Sequence, residues 1–200
     1  MRRPADILIS LLLLVLFLPL MLTIALAIVV TSKGSPLYGG RRVGLRGRIF
    51  RMWKFRTMVT GADRLGPSIT GNKDPRITPI GAALRKTKLD ELPQFLNVLT
   101  GDMTLVGPRP EAPDMVARYT ERQRAVLEVK PGVTGRVQLD SGEESESIPQ
   151  GVAADEYYVK QIMNRKLEGD LEYLRKRTPL SDLLIVIETV GLVFTALVQR

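Results

Sequence analysis

Asp90 and Glu91 are adjacent carboxylates among cations, with Arg85, Lys86 and Lys88 before them and Arg109, set between Pro108 and Pro110, after them. Mg2+ is commonly held by one or two carboxylates together with substrate phosphates, so this pair suits it better than a many-ligand calcium cage. Arginine neutralises and orients phosphoryl groups through a planar two-pronged fork. Arg109 between two residues of locked φ reads as a positioned anion ligand. The plain structural alternative makes the pair a helix cap and dipole partner. The nearby arginines shift the balance toward metal and phosphate chemistry. An aspartate of ordinary pKa, about 3.9, is already ionised at neutral pH, so Asp90 needs no base to act.

Composition removes most other chemistries. The 200 residues contain neither cysteine nor histidine. Thiolate nucleophiles, disulfides, Cys/His zinc sites and histidine bases are excluded, leaving carboxylate, lysine, arginine, tyrosine and hydroxyl groups. Net charge is +8, and ten of the basic residues fall within the first 56 positions against the single acid Asp6. That third of the chain needs an anionic partner, for which a membrane surface and a nucleic acid both qualify.

The elements that must position the pair follow from capping and periodicity. Asp90 reads as the N-cap of a helix whose first turn accommodates Pro93 and whose end is marked by Gly101. Leu92, Phe95, Leu96 and Leu99 form its apolar face. Residues 49–55 alternate as a short strand, with Lys54 and Arg56 on one face opposite Trp53 and Phe55, a face that phosphate can meet. Residues 61–79 read as a long loop, functional or mobile more often than idle, containing the turn Asp74-Pro75-Arg76. Ile80 to Lys88 is a short basic amphipathic segment suited to anionic headgroups. Glu111 to Val129 reads as a charged surface helix without chemistry, and Pro131-Gly132-Val133-Thr134-Gly135 as a turn, either a plain hairpin or one that lets backbone approach a ligand. Ser141 to Pro149 reads as an exposed loop, and Ala154 to Leu174 as a charged helix whose Tyr157 and Tyr158 pack.

Ile7 to Val30 is long enough to cross a hydrocarbon core of about 30 Å. Pro19 near its middle bends it, and basic residues flank it on both sides, from Arg2 and Arg3 to Lys33, Arg41, Arg42, Arg46 and Arg48, placing both ends at the cytoplasmic face. On these residues alone a re-entrant helix and a kinked span are equally admissible. Pro179 to Val198 is also apolar but carries Asp182 and Glu188. A mid-bilayer charge costs about 3 kcal/mol, which favours a surface amphipathic helix over a second span.

One ordered set of motifs carries a resemblance: Lys54-Phe55-Arg56-Thr57-Met58, Asp74-Pro75-Arg76-Ile77-Thr78, Leu89-Asp90-Glu91-Leu92-Pro93-Gln94, Asn97-Val98-Leu99-Thr100-Gly101-Asp102-Met103, Gly107-Pro108-Arg109-Pro110, Pro131-Gly132-Val133-Thr134-Gly135 and Asp155-Glu156-Tyr157-Tyr158. The chain resembles the bacterial sugar transferases, monotopic phosphoglycosyl transferases that move a sugar-1-phosphate from a UDP-sugar to a polyprenyl phosphate such as undecaprenyl phosphate. The resemblance implies an α+β membrane-associated fold. Residues 1–33 would form a re-entrant, proline-broken membrane helix, and residues 34–200 a catalytic domain on the cytoplasmic face of the bacterial inner membrane, with interfacial helices and a small β element around the site. By it Asp90 is the nucleophile that takes the phosphosugar, Glu91 helps hold Mg2+, and Arg85 and Arg109, with Lys54 and Arg56 as weaker candidates, bind the phosphoryl group. It implies a bilayer of anionic headgroups as partner, no nucleic acid, and room for a homodimer. The chain departs from the family beyond Gln138, where acids and serines stand in place of an arginine. Two other classes remain: a membrane-anchored nucleic-acid binder, for which Trp53 and Phe55 interleave with basic residues, and a non-catalytic scaffold.

Overall fold

The apolar run folds as a helix, α1 (Arg3–Thr31), with Pro19 inside it. The computed structural model describes residues 3–66, 69–70, 74–141, 148–149 and 152–198. Among them α1 is the one helix long and apolar enough to cross a membrane. Its middle lacks protein cover, since Leu12, Val15 and Leu16 are 63%, 65% and 64% exposed. Both ends are anchored. Arg3 donates to the Leu99 carbonyl at 3.0 Å and Asp6 accepts from the Thr104 hydroxyl at 2.6 Å, while Ile24 and Ile28 are buried with Phe55 and Leu84.

Strands β1 (Leu37–Val43) and β2 (Ile49–Phe55) form an antiparallel hairpin in which Tyr38 pairs with Lys54 and Arg42 with Phe50. The predicted strand over 49–55 is therefore present, and Phe50 and Met52 share the face of Lys54 as alternation requires. Helix α2 (Pro79–Thr87) begins where the Thr78 hydroxyl accepts from Gly81 N–H at 3.0 Å and Pro79 supplies a preset φ, and it ends at Lys88, whose φ is +58°. A 3-10 turn, Leu89–Glu91, leads to α3 (Gln94–Thr100), which stops at Gly101 with φ +91°. Two side-chain hydrogen bonds fasten α3 to the hairpin: Asn97 Oδ1 accepts from Trp53 N–H at 2.9 Å and Asn97 Nδ2 donates to the Arg51 carbonyl at 2.7 Å.

Strand β3 (Thr104–Val106) pairs in parallel with β4 (Gly132–Thr134). Between them lie α4 (Pro113–Val116) and a 3-10 stretch, Gln123–Glu128. Then come α5 (Arg136–Ser141), α6 (Ala154–Tyr157), a π-helical stretch Tyr158–Met163, α7 (Asn164–Lys176) and α8 (Pro179–Val198). The result is a mixed α and β architecture. One apolar cluster, centred on Val98, Met103 and Val106, joins the hairpin, α3, β3 and α8; another joins α4, the Gln123–Glu128 stretch and α7 around Tyr158 and Leu167.

Several expectations are corrected. No single surface helix spans Glu111 to Val129: Pro113 starts a new short helix, and Glu111, Met115, Tyr119 and Val126 are buried. Residues 132–134 form a core strand rather than a turn. A Cβ at Gly132 would lie 2.1 Å from the Gly107 nitrogen, so these glycines serve the approach of two backbones and not of a ligand. The apolar face expected of α3 is met in part: Leu92 and Phe95 pack on the apolar clusters, but the helix also buries Gln94, Asn97 and Val98 and leaves Leu96 38% exposed. Helix α8 also turns its polar group inward. Asp182 is buried, accepting from Arg177 Nε at 3.0 Å and from the Tyr173 hydroxyl, whereas Leu180, Leu183 and Ile187 face outward. The Ser141 to Pro149 loop lies largely outside the described residues, as do positions 67–68 and 71–73 of the long loop.

Candidate active site

Asp90 and Glu91 occupy the 3-10 turn between α2 and α3. The expectation that Asp90 caps α3 is not met, because Pro93 holds that place and the left-handed Lys88 has already reversed the chain. The reversal brings both carboxylates under the end of β2. Lys54 Nζ lies 2.7 Å from Glu91 Oε1 and 3.8 Å from Asp90 Oδ2. Arg109, from the loop after β3, donates through Nη2 to Glu91 Oε1 at 2.6 Å and through Nη1 to Oε2 at 3.3 Å. Asp90 itself is buried, with only 4% of its surface exposed.

The two carboxyl groups are driven in opposite directions. Burial raises both, but for Glu91 the charges and hydrogen bonds of Arg109 and Lys54 outweigh it and hold the group well below the usual carboxylate range. For Asp90 burial wins. Lys54, Arg85 and Arg109 oppose it only through space, the Glu91 charge reinforces it, and the carboxyl is raised. The ordinary pKa expected from sequence is thus corrected, since the turn is packed instead of standing at an open helix end.

The pair borders a cleft of about 680 Å³ whose walls include Lys54, Thr57, Arg85 and Arg109. Arg85 Nε donates to the Thr57 hydroxyl at 2.9 Å. Arg56 borders the same cleft, and its guanidinium donates to the Ser32 carbonyl (2.9 Å), the Lys33 carbonyl (2.5 Å) and the Thr60 hydroxyl (2.9 Å). It fastens the end of α1, because the strand has ended at Phe55 and no longer dictates alternation. The predicted Asp74-Pro75-Arg76 turn is closed by an Arg76–Asp74 ion pair at 2.6 Å, and Arg76 also borders the cleft.

Arg42 and Tyr38 of β1 line the same cleft. Sequence reasoning counted Arg42 only as a flanking positive charge. The alternation Tyr38, Gly40, Arg42, paired across from Lys54, was the available signal. Among the described residues no group of three metal-capable side chains occurs. Asp90 and Glu91 are the adjacent carboxylates on this cleft that could hold Mg2+, an ion that commonly takes its remaining ligands from phosphate and water. The arrangement can therefore bind a polyanion with Lys54, Arg85 and Arg109 and present one buried carboxylate to it.

The family model described as bacterial sugar transferase matches residues 1–196. The chain is 38% identical over 199 residues to the UDP-glucose:undecaprenyl-phosphate glucose-1-phosphate transferase of Escherichia coli K12, covering 95% of this chain and 39% of that protein. It is 40% identical over 192 residues to the undecaprenyl-phosphate galactose phosphotransferase of Salmonella typhimurium, covering 88% and 39% respectively. To the exopolysaccharide production protein ExoY of Sinorhizobium fredii it is 38% identical over 193 residues, covering 89% of this chain and 84% of that one. The chain spans well under half the length of the first two relatives and most of the third. The match of nearly the whole chain means that this chain belongs to the bacterial sugar transferase family.

Proposed function

We propose that the chain transfers a sugar-1-phosphate from a UDP-sugar to undecaprenyl or another polyprenyl phosphate at the cytoplasmic face of the membrane, releasing UMP and leaving a polyprenyl-diphosphate-sugar, the first membrane step of polysaccharide or glycoconjugate assembly. The observation that carries this is the buried Asp90 beside a Glu91 gripped by Lys54 and Arg109, in a cleft of a sugar transferase family member. An oxygen of Asp90 attacks the phosphorus attached to the sugar, the bond from that phosphorus to the UMP oxygen breaks, and UMP leaves with the electron pair. An oxygen of the polyprenyl phosphate then attacks the same phosphorus and frees the Asp90 carboxylate. Both attacking oxygens are anionic, so no histidine is required. Mg2+, held by Asp90 and Glu91, would supply charge neutralisation for the diphosphate. Arg85 and Arg109 orient the transferring group. Lys54 supports them, and Arg56, whose two terminal nitrogens are engaged by Ser32, Lys33 and Thr60, contributes least.

The exposed middle of α1 and the outward leucines of α8 fit a bilayer. Support for re-entry comes from the two anchored ends of α1. A straight helix separates Asp6 from Ile24 by about 27 Å, yet the first half packs near Phe95 and Val98 and the second in a cluster that Leu92 joins. The short stretch from Leu92 to Val98, about 10 Å long, receives both, which fits a bend at Pro19 that returns the chain to one side.

Incubating membrane-extracted protein with Mg2+ and UDP-sugars, without lipid acceptor, is expected to release UMP and leave the protein heavier by one phosphosugar. The mass shift should disappear when polyprenyl phosphate is added. Asp90→Asn should stay folded and form no adduct, while Glu91→Gln should form it slowly. An adduct persisting in Asp90→Asn would move the nucleophile elsewhere; no UMP release with any UDP-sugar would return the pair to a structural role.

A further inference from the structure

The wall of the cleft opposite the Asp-Glu turn carries a cation that the transfer chemistry above leaves unused. Tyr38, Gly40 and Arg42 alternate on the face of β1 that lines the cleft, in register with Lys54, Met52 and Phe50 of β2. Gly40 leaves this face bare. A Cβ there would stand 3.0 Å from the Tyr38 ring and 3.5 Å from Arg42 Nη1, so ring and guanidinium lie side by side over the glycine backbone. The Tyr38 hydroxyl is tied to Asp63 at 2.9 Å, which holds the ring in place. Arg42 is half-buried and, among the described residues, makes one side-chain hydrogen bond, to the carbonyl of its neighbour Arg41. Glu111 and Asp114 act on it only through space. Burial and the like charge of Arg109 both oppose its protonated form.

A partly desolvated guanidinium without a carboxylate, set near a second guanidinium, is relieved by an anion that enters between them. We propose that Arg42, together with Arg109, binds the phosphate of the nucleoside monophosphate half of the nucleotide sugar, the group that leaves when the phosphosugar is transferred. This rests on the phosphosugar transfer proposed above. The cleft has two ends that separate the possible phosphates. Phe55, at the far end of β2, packs on Ile24 and Ile28 of the apolar helix α1, the side from which a lipid-linked phosphate arrives. Arg42 pairs with Phe50, toward the other end of the hairpin, and its guanidinium reaches back as far as Gly40, which pairs with Met52 and not with the residues at that contact. A nucleotide has no apolar tail to cover and suits the Arg42 end.

The test measures, on the membrane-extracted protein, the KM for UDP-sugar, the KM for polyprenyl phosphate, and inhibition by added UMP. Arg42→Gln is expected to raise the KM for UDP-sugar and the UMP inhibition constant together by about tenfold, the scale of one charge-assisted hydrogen bond, and to leave the KM for polyprenyl phosphate unchanged. Arg48→Gln, an exposed arginine at the hairpin turn, should change none of the three. Arg42→Lys keeps the charge and should give intermediate nucleotide constants; it also decides the question if Arg42→Gln lowers the melting temperature. Unchanged nucleotide constants in both variants, or a rise confined to the polyprenyl phosphate KM, would overturn the proposal while leaving the transfer reaction intact. Unmodified protein that neither turns over any UDP-sugar nor binds radiolabelled UMP would instead overturn the transfer reaction itself.

Discussion

Arg109 spans both oxygens of Glu91, at 2.6 and 3.3 Å, across 18 residues of sequence, and Lys54 closes on the same carboxylate from the hairpin at 2.7 Å. The grip leaves Glu91 ionised in a packed site and sets the local charge that Asp90 experiences. Because the folded carboxyl of Glu91 lies below its unfolded value, the contact contributes stability above the unfolded value of about 4.3, and that stability is lost as pH falls through the folded value. Arg109→Gln is expected to cost about 2 kcal/mol at neutral pH and to lose part of this acid-side dependence, read from thermal melts between pH 3 and 7. Arg109→Lys should restore some stability but little turnover, since a point charge cannot reproduce the fork.

Asp90 supplies a pH test of opposite sign. Burial raises its carboxyl, and only the ionised form attacks, so the acid limb of adduct formation should lie above the ordinary aspartate value of about 3.9. Lys54→Met removes the closest opposing cation and should move that limb further up. A limb at the ordinary value in both proteins would contradict the packed geometry.

Asn97 is 1% exposed and satisfies one N–H and one carbonyl of β2. Asn97→Leu leaves both backbone groups without their partner and should cost about 2–4 kcal/mol, a fall of roughly 4–16 °C in Tm for a chain of this size. Since Asn97 also fixes the distance between Lys54 and the Asp-Glu turn, turnover should fall at temperatures where the variant is still folded.

Behind the Arg109 loop, Lys166 donates to Glu111 at 2.8 Å and the Tyr158 hydroxyl donates to the same oxygen, all three groups being buried. Lys166→Met strands a buried carboxylate and is expected to destabilise by about 3–5 kcal/mol. Adding Glu111→Gln should recover much of that loss, a coupling that a double-mutant melting cycle measures directly.

Gly132→Ala should abolish folding, because the added methyl meets the Gly107 nitrogen at 2.1 Å and neither backbone can move. Gly47→Ala, at φ +79° with nothing within 4 Å, should cost only about 1 kcal/mol of backbone strain. Comparing expression and melting of the two separates close approach from turn geometry.

Cysteine pairs report the course of α1, since the chain has no native cysteine. Pro4→Cys and Arg48→Cys, both at exposed positions, should be labelled from the same side of the membrane if α1 re-enters, and from opposite sides if it spans.

Elements with local signals are legible in the chain. Helix α1 follows from a nearly uninterrupted apolar run, β2 from alternation and the end of α3 from Gly101; each rests on bonds and periodicity within a few residues. The family resemblance grouped Asp90, Glu91, Arg85, Arg109, Lys54 and Arg56, all of which border one cleft. How that site is built depends on contacts between distant segments. The rise at Asp90, the bonds of Arg56 to the end of α1 and the contact of Gly107 with Gly132 all depend on partners that chain closure brings from tens of residues away. Periodicity tells which face of an element is apolar but not what will cover it. That is why α3 could turn Asn97 inward and leave Leu96 outside: two hydrogen bonds to β2 and the apolar surroundings of α1 outweighed the pattern of its own leucines.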